Sequence, residues 1–289
     1  MTARSRSRRE DAAARARRRV GALLDAARPP VLRLPVVREL RCARFRRLRP
    51  LADGRQRGVP IVRHYWGRFL DRHRAAIRGR GLEIGTTATI RHYGGAALAH
   101  ADALDLAPHD PEITIVADLT DAGAIPSDAY DCFVNQFTMH LVYDLDSAFY
   151  HSLRILRPGG TLLVNFPSVE YLFARGLDMG TGAPLFVHWQ FTPLQVENLL
   201  RRCGLEDADC ELELFGNLFA RIAYQMNVPA EELTRVELEH VDPGHPLLVC
   251  VRVVKPEGWD VPAPPRREPW LPAVTPVHWN PVMGHYADE

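Results

Sequence analysis

The chain has 289 residues, of which 46% are hydrophobic and 25% charged, as expected for a globular protein with one substantial core. No apolar run approaches the ~20 residues that a membrane-spanning helix needs, and no apolar segment of a secretion signal follows the arginine-rich start. We therefore expect a cytoplasmic protein without a membrane span. Five scattered cysteines without a C-x-x-C pair argue against a disulfide framework and a zinc site, so no metal is expected.

The first fifty residues are strongly basic. They hold 16 arginines against 4 acidic residues, which leaves 20 basic and 31 acidic residues in the rest of the chain. We assign residues 1–58 to an Arg-rich N-terminal extension. Such an arm can grip nucleic acid or an anionic membrane, but its first forty residues contain no aromatic side chain for stacking on bases. We favour an arm that packs on its own acidic domain or on a second subunit in a homodimer, and we do not expect nucleic acid as a partner.

Strands and helices alternate through the middle of the chain. Residues 61–78 have the apolar spacing of a helix, and strands are predicted at 81–85, 96–103, 113–117, 130–137, 161–166, 211–215 and 247–254. Helices are predicted at 144–156, 192–203 and 218–225. This order predicts a doubly wound, mostly parallel, seven-stranded α/β sheet in a domain of residues 59–256. Residues 257–289 are rich in proline and contain tryptophan, which is typical of an extended tail.

A turn follows the first predicted strand at Glu83 and Gly85. A glycine there lets the backbone approach a ligand closely at the carboxyl edge of the sheet. Thr86 and Thr87 follow, where small hydroxyl side chains can line a tight turn. The full G-x-G-x-x-G of a dinucleotide site is absent.

Acidic residues also follow the next two strands. Asp102 lies 19 residues after Glu83, near the end of the second predicted strand, where a carboxylate can accept hydrogen bonds from both ribose hydroxyls; Asp105 is the alternative. Asp118 closes the third strand and can accept from an adenine amino group, while the N–H of Leu119 donates to a ring nitrogen. Acidic residues at three consecutive strand ends predict a nucleoside site.

Three segments carry a family resemblance. In order, LEIG, ADLTDAGAIPSDAYDCFVNQFTMHLVYD and LRILRPGGTLLVNFP resemble the class I methyltransferases that use S-adenosylmethionine (SAM), in particular the type 11 branch. The resemblance covers roughly residues 60–255. It implies a Rossmann-like fold and SAM as the cofactor, with S-adenosylhomocysteine as its product. The turn after Glu83 would hold the amino-acid portion of SAM, and Asp118 would contact adenine.

Two further segments, GVPIVRHYWGRFL and HWQFTP, are similar to a bacterial subgroup often associated with glycosyltransferases. That similarity implies O-methylation of a glycoside, polysaccharide or natural-product hydroxyl in biosynthesis. The resemblance also implies that Tyr65 or His64 closes the cofactor site at the SAM carboxylate. Asn135 would orient the SAM ammonium or the acceptor.

Transfer to a hydroxyl requires alignment of donor and acceptor and removal of the hydroxyl proton. His140, just past the fourth strand, is our candidate general base, because an imidazole titrates near neutral pH. His188, beside Trp189, is the second candidate acceptor-facing histidine.

Three alternatives stay open. One is N-methylation of an amino sugar or another amine. Another is a protein with the SAM-binding fold that serves only as a binding or scaffolding partner. The missing second and third glycines of the loop after Glu83 favour it, whereas the retained Glu83, Asp102 and Asp118 argue against it. Nucleic-acid methylation lacks its N/D-P-P-Y motif, because residues 135–138 read NQFT.

Overall fold

The computed structural model describes residues 58–170, 177–178, 185–271, 277–280 and 285–286. The predicted N-terminal extension lies outside the described residues except for Gly58, and the predicted tail is described in part. Within the described residues, no helix is long and apolar enough to cross a membrane.

The predicted doubly wound sheet is confirmed. Its strands are β1 (Gly79–Ile84), β2 (Leu98–Asp105), β3 (Ile113–Val116), β4 (Tyr130–Asn135), β5 (Leu156–Pro167), β7 (Cys210–Phe215) and β8 (Leu248–Val254). They lie in the order β3-β2-β1-β4-β5-β8-β7, and β8 runs antiparallel to both of its neighbours. A separate three-stranded sheet contains β6 (Leu177–Asp178), β9 (Val277–Asn280) and β10 (His285–Tyr286).

Helices cover both faces of the large sheet. They are α1 (Ile61–His73), α2 (Ala88–Gly94), α3 (Leu145–Arg154), α4 (Pro193–Arg202), α5 (Leu218–Gln225) and α6 (Arg235–Glu239). Asp144 caps α3 by accepting from the Ser147 N–H, and Thr192 forms a capping box with Gln195 at the start of α4. The sequence did not predict α2 and α6, which are short.

Strand alternation divides the core into two layers. Phe133 and Leu162 face α3 and α4, whereas Val134 and Leu163 face α1. All four side chains are fully buried, as expected for central strands covered on both faces.

The second and fifth strands differ from their predicted limits in ways that matter for the site and the sheet. The second strand begins and ends two residues later than predicted, so Asp102 lies inside β2 and Asp105 ends it. The fifth strand begins at Leu156 instead of residue 161, because the Pro158-Gly159-Gly160 turn is a bulge in the strand: Tyr130 pairs with Leu156, but Cys132 pairs with Thr161.

The segment after β8 is anchored to the domain. The buried ammonium of Lys255 donates to Asp128 Oδ1 at 2.6 Å and to the Leu156 carbonyl at 2.7 Å. Trp259 donates from Nε1 to the Cys203 carbonyl at 2.9 Å, so this aromatic does anchor the tail, whereas Trp270 is 85% exposed.

Candidate functional site

The carboxyl ends of β1 and β4 lie side by side where the strand order reverses, because the chain runs outward from β1 through β2 and β3 and then returns to β4. Open α/β sheets bind ligands in the crevice at such a switch point. Glu83 and Gly85 at the end of β1 and Asn135 at the end of β4 therefore lie at one edge, together with the ends of β2 and β3.

Glu83 is fully buried, and both of its carboxylate oxygens accept hydrogen bonds. The Ile90 N–H donates to Oε2 at 2.9 Å, and the Gln136 side-chain amide donates to Oε1 at 2.7 Å. Trp66 Nε1 donates to Gln136 Oε1 at 2.9 Å, which fixes the orientation of that amide. Burial raises the pKa of Glu83 to about 7, although hydrogen bonds from Thr89 and Ile90 oppose the shift.

The turn after β1 depends on glycine at one position. Gly85 has a φ of 76°, and its N–H donates to the Leu104 carbonyl. Thr86 Oγ1 accepts from the Ala88 N–H at 3.0 Å. A carboxylate that the sequence did not single out also reaches this turn, since Glu112 Oε2 accepts from the Thr87 N–H at 3.2 Å and its hydroxyl at 3.1 Å.

Asp102 does not lie at the carboxyl edge. It pairs with Leu82 in the middle of the sheet, and four side chains donate to its carboxylate: those of Arg80, His100, Thr114 and Tyr130. Burial raises the pKa of Asp102, but these donors outweigh burial and hold the pKa below its ordinary value. The predicted ribose contact at Asp102 therefore needs correction, because the carboxylate already has its partners inside the sheet.

Asp105 occupies the position that was expected of Asp102. It is the last residue of β2, and a side chain built on Gly85 would lie 3.4 Å from Asp105 Oδ2. Its Oδ1 accepts from the Leu106 N–H at 2.6 Å. The alternative that the sequence left open is thus the carboxylate beside the glycine turn.

Asp118 follows β3 and is half-exposed. Its Oδ1 accepts from the N–H and the hydroxyl of Thr120, each at 2.8 Å, whereas Oδ2 lies 3.3 Å from Arg266 Nη2. Leu119 is buried in the core. No motif or spacing pointed to Arg266, which reaches this site from the segment after β8.

Asn135 is fully buried, and neither its amide oxygen nor its amide nitrogen has a partner among the described residues. Buried amides are hydrogen-bonded in nearly all proteins. An unpartnered amide at the sheet's switch point therefore indicates a place for a polar ligand.

His140 and His188 come together at the same edge. The His188 N–H donates to the His140 carbonyl at 2.8 Å. The side chain of His140 is buried, its Nδ1 has no partner among the described residues, and burial lowers its pKa to about 4. Burial also lowers the pKa of His188. Trp189 has a structural role, since its Nε1 donates to the Val142 carbonyl at 2.8 Å.

Tyr65 lies in α1, and its hydroxyl has no hydrogen-bond partner among the described residues. It is fully buried and stacks on Phe215 with 5.5 Å between ring centroids, and burial raises its pKa to about 12. Its neighbour Arg63 instead lies with its guanidinium carbon 5.0 Å from the centroid of the Phe137 ring. Desolvation lowers the pKa of Arg63, opposed by Tyr224, Glu170 and Glu83.

Residues 91–164 match the model of a methyltransferase domain family, type 11. This segment runs from α2 to β5, so it includes Asp105, Asp118, Asn135 and His140 but not Glu83 or Gly85. The resemblance to type 11 methyltransferases is thereby confirmed, whereas the glycosyltransferase-associated subgroup stays a prediction. No curated protein matches the chain.

Several solved structures are similar. A SAM-dependent methyltransferase from Mesorhizobium loti is 20% identical over 61% of this chain and 90% of its own, with a TM-score of 0.39. A SAM-dependent methyltransferase from Archaeoglobus fulgidus is 13% identical, and the match covers 67% of this chain and 94% of that one, with a TM-score of 0.41. Phosphoethanolamine N-methyltransferase 2 of Haemonchus contortus is 16% identical, and the match covers 64% of this chain and 53% of that one, with a TM-score of 0.42.

Proposed function

We propose that this chain, whose residues 91–164 match a methyltransferase domain, binds SAM at the β1–β4 switch point and methylates an oxygen of a small molecule. One observation carries the proposal. Glu83, Asp105 and Asp118 stand at or beside the carboxyl ends of three consecutive strands, around a glycine turn with positive φ. Three carboxylates in this order match the amino group, ribose and adenine of a nucleoside with an amino-acid arm.

The residues at this edge fit the cofactor. Gly85 adopts a positive φ that strains any side chain at this turn, and the amide of Asn135 still needs partners. We assign the ribose hydroxyls to Asp105 in place of Asp102, and the adenine amino group to Asp118 with the N–H of Leu119. Thr86 lines the turn beside the amino-acid portion, whose ammonium group would lie near Glu83.

The SAM carboxylate needs a cation. Arg63 is a better candidate than Tyr65, because it is a cation in α1 whose guanidinium lies over the Phe137 ring, whereas the hydroxyl of Tyr65 is uncharged. A guanidinium with two parallel N–H groups suits a carboxylate well. We therefore assign the carboxylate to Arg63.

When bound, SAM would supply a methyl group on a sulfonium, from which S-adenosylhomocysteine is already a good leaving group. The protein must hold the acceptor in line with that methyl and take its proton. We assign the proton to Nδ1 of His140, since Nδ1 has no partner among the described residues. The lowered pKa keeps this imidazole neutral at pH 7 but makes it a weaker base than an exposed histidine, so the assignment rests on the position of His140 and not on its titration. The acceptor oxygen gains the methyl as its proton passes to His140, with His188 beside it.

The test of cofactor binding is titration calorimetry of the purified chain with S-adenosylhomocysteine. We expect a single site with a dissociation constant of about 1–100 μM, equivalent to roughly 5–8 kcal/mol. If neither S-adenosylhomocysteine nor SAM gives heat or raises the melting temperature, the proposed function is wrong.

His140→Ala is expected to lower turnover of a hydroxyl acceptor by ~10²–10⁴ while the affinity for S-adenosylhomocysteine stays the same. The reason is that His140 would act on the acceptor proton and not on the cofactor. Single-turnover assays with labelled SAM measure the loss. His188→Ala is the matched control, since it removes the second imidazole; full turnover by His140→Ala would exclude His140 as the base.

A further inference from the structure

A cavity lies at the amino edge of the large sheet, opposite the candidate cofactor site. It has a volume of about 600 Å³ and is lined by the end of α1 and the turn that follows, the start of β4, the bulge of β5 and the end of β8. Since β1 has six residues at ~3.3 Å each, this edge is about 20 Å from the candidate cofactor site. The proposed methyl transfer does not use it.

Four arginines line this cavity: Arg72, Arg78, Arg157 and Arg252. Three of them are paired with acidic side chains. Arg157 Nη1 lies 2.8 Å from Asp131 Oδ1, Arg252 Nη1 lies 3.8 Å from Glu211, and Arg72 pairs with Glu213, which His73 also contacts at 3.0 Å. Among the residues that the structure describes, the guanidinium of Arg78 has no acidic partner. The lining therefore has an excess of positive charge.

The paired arginines remain available to a ligand. The side chains of Arg157 and Arg72 are each 50% exposed and that of Arg252 is 35% exposed. Solvent-exposed ion pairs contribute only about 0–1 kcal/mol each. A phosphate oxygen can therefore share or replace a carboxylate on these guanidinium groups at little cost, and arginine binds phosphate in bidentate geometry.

Backbone contacts hold the cavity wall in place. Asp131, which orients Arg157, also accepts from the Arg80 N–H at 2.7 Å. A side chain at Gly79, where φ is 65°, would collide with the Asp131 carboxylate. In the bulge, the Gly159 N–H donates to the Lys255 carbonyl at 2.9 Å. Arg157 and Arg252 thus stand on strands and Arg72 on α1, while Arg78 directly precedes β1, whose pairing begins at Gly79.

We propose that this cavity is an anion site for a small molecule that carries more than one phosphate group. Arg78 is the main contact because it has no acidic partner to displace, and Arg157 and Arg252 hold the second phosphate. Binding is independent of the cofactor, since the two sites lie at opposite edges of the sheet.

The test uses inorganic pyrophosphate with the purified full chain at constant ionic strength, measured by calorimetry. Arg78→Glu is expected to weaken pyrophosphate binding at least tenfold, or about 1.4 kcal/mol. The matched control is Arg74→Glu, which makes the same charge change on an exposed arginine of the same turn that does not line the cavity. It should bind pyrophosphate as the unaltered chain does.

Melting temperatures of both variants show whether they are folded, so the test does not depend on cofactor binding. If the unaltered chain does not bind pyrophosphate, the proposal is overturned. The same holds if the two variants lose affinity equally, because the effect would then come from net charge and not from the cavity.

Discussion

Replacing Asp105 by alanine is expected to weaken S-adenosylhomocysteine binding by ~10–100-fold and to leave the melting temperature nearly unchanged. The carboxylate ends β2 beside Gly85, where it would accept from both ribose hydroxyls. Hydrogen bonds to a charged group contribute about 1.5–3 kcal/mol. Among the described residues this carboxylate accepts one hydrogen bond, from the adjacent Leu106 N–H, and has one long ion-pair contact, with His109 Nε2 at 3.8 Å, so little stability depends on it.

Asp102→Ala is the matched control and should have the opposite effect. Removing this carboxylate leaves the Tyr130 hydroxyl and Arg80 without their acceptor inside the sheet, which should cost about 2–4 kcal/mol of the free energy of unfolding. Calorimetric titration and thermal melts of both variants measure the two effects. Loss of cofactor affinity in folded Asp102→Ala, with full affinity in Asp105→Ala, would restore the original assignment to Asp102.

The second large effect is a pH dependence of cofactor binding. With its pKa raised to about 7, Glu83 is mostly protonated at pH 6 and mostly ionised at pH 8. An ammonium group binds the ionised form, so the affinity for S-adenosylhomocysteine should fall about tenfold from pH 8 to pH 6. Titrations at three pH values across this range measure the slope.

Glu83→Gln separates this effect from other titrations. The amide keeps the shape of the side chain but does not ionise, so its weaker binding should not change with pH below 7. Without cofactor, the pH dependence of folding stability has the opposite direction to that of binding. The stability that Glu83 contributes is fully present below pH 4.5 and is lost as the pH rises through 7, because the buried carboxyl must then ionise. If the affinity of Glu83→Gln for S-adenosylhomocysteine changes with pH as much as that of the unaltered chain, ionisation of Glu83 is not the cause of the pH dependence.

The fold could be predicted from the sequence because buried parallel strands are continuous apolar runs. The β4 run between Tyr130 and Asn135 is an example, and its end was placed within two residues. The end of β2 was placed too early for a physical reason. Asp102 is charged, and a charge usually marks the end of a strand, but here four side chains satisfy it inside the sheet.

The missed site residues share another cause. Each of them makes its contact with a residue far away in the sequence. Gln136 is 53 residues from Glu83 and 70 residues from Trp66, and Arg266 is 148 residues from Asp118. Neither spacing nor periodicity records such contacts. Asn135 ends β4 and His140 lies in the turn that follows, so the order of residues alone was enough to predict both at this edge of the sheet.

The place of β8 between β5 and β7 has a consequence for synthesis. β5 pairs with β8 from Thr161 to Pro167, and β7 pairs with β8 along its whole length, so β7 has no partner in the large sheet until residues 248–254 have left the ribosome. Until then the nascent chain presents the edge of β5, with its apolar side chains at Leu163 and Val164, to other chains. An unpaired apolar edge is a template for aggregation. Chains released before Leu248 should therefore require a chaperone or enter inclusion bodies, whereas chains that stop soon after Lys255 have every strand of the large sheet.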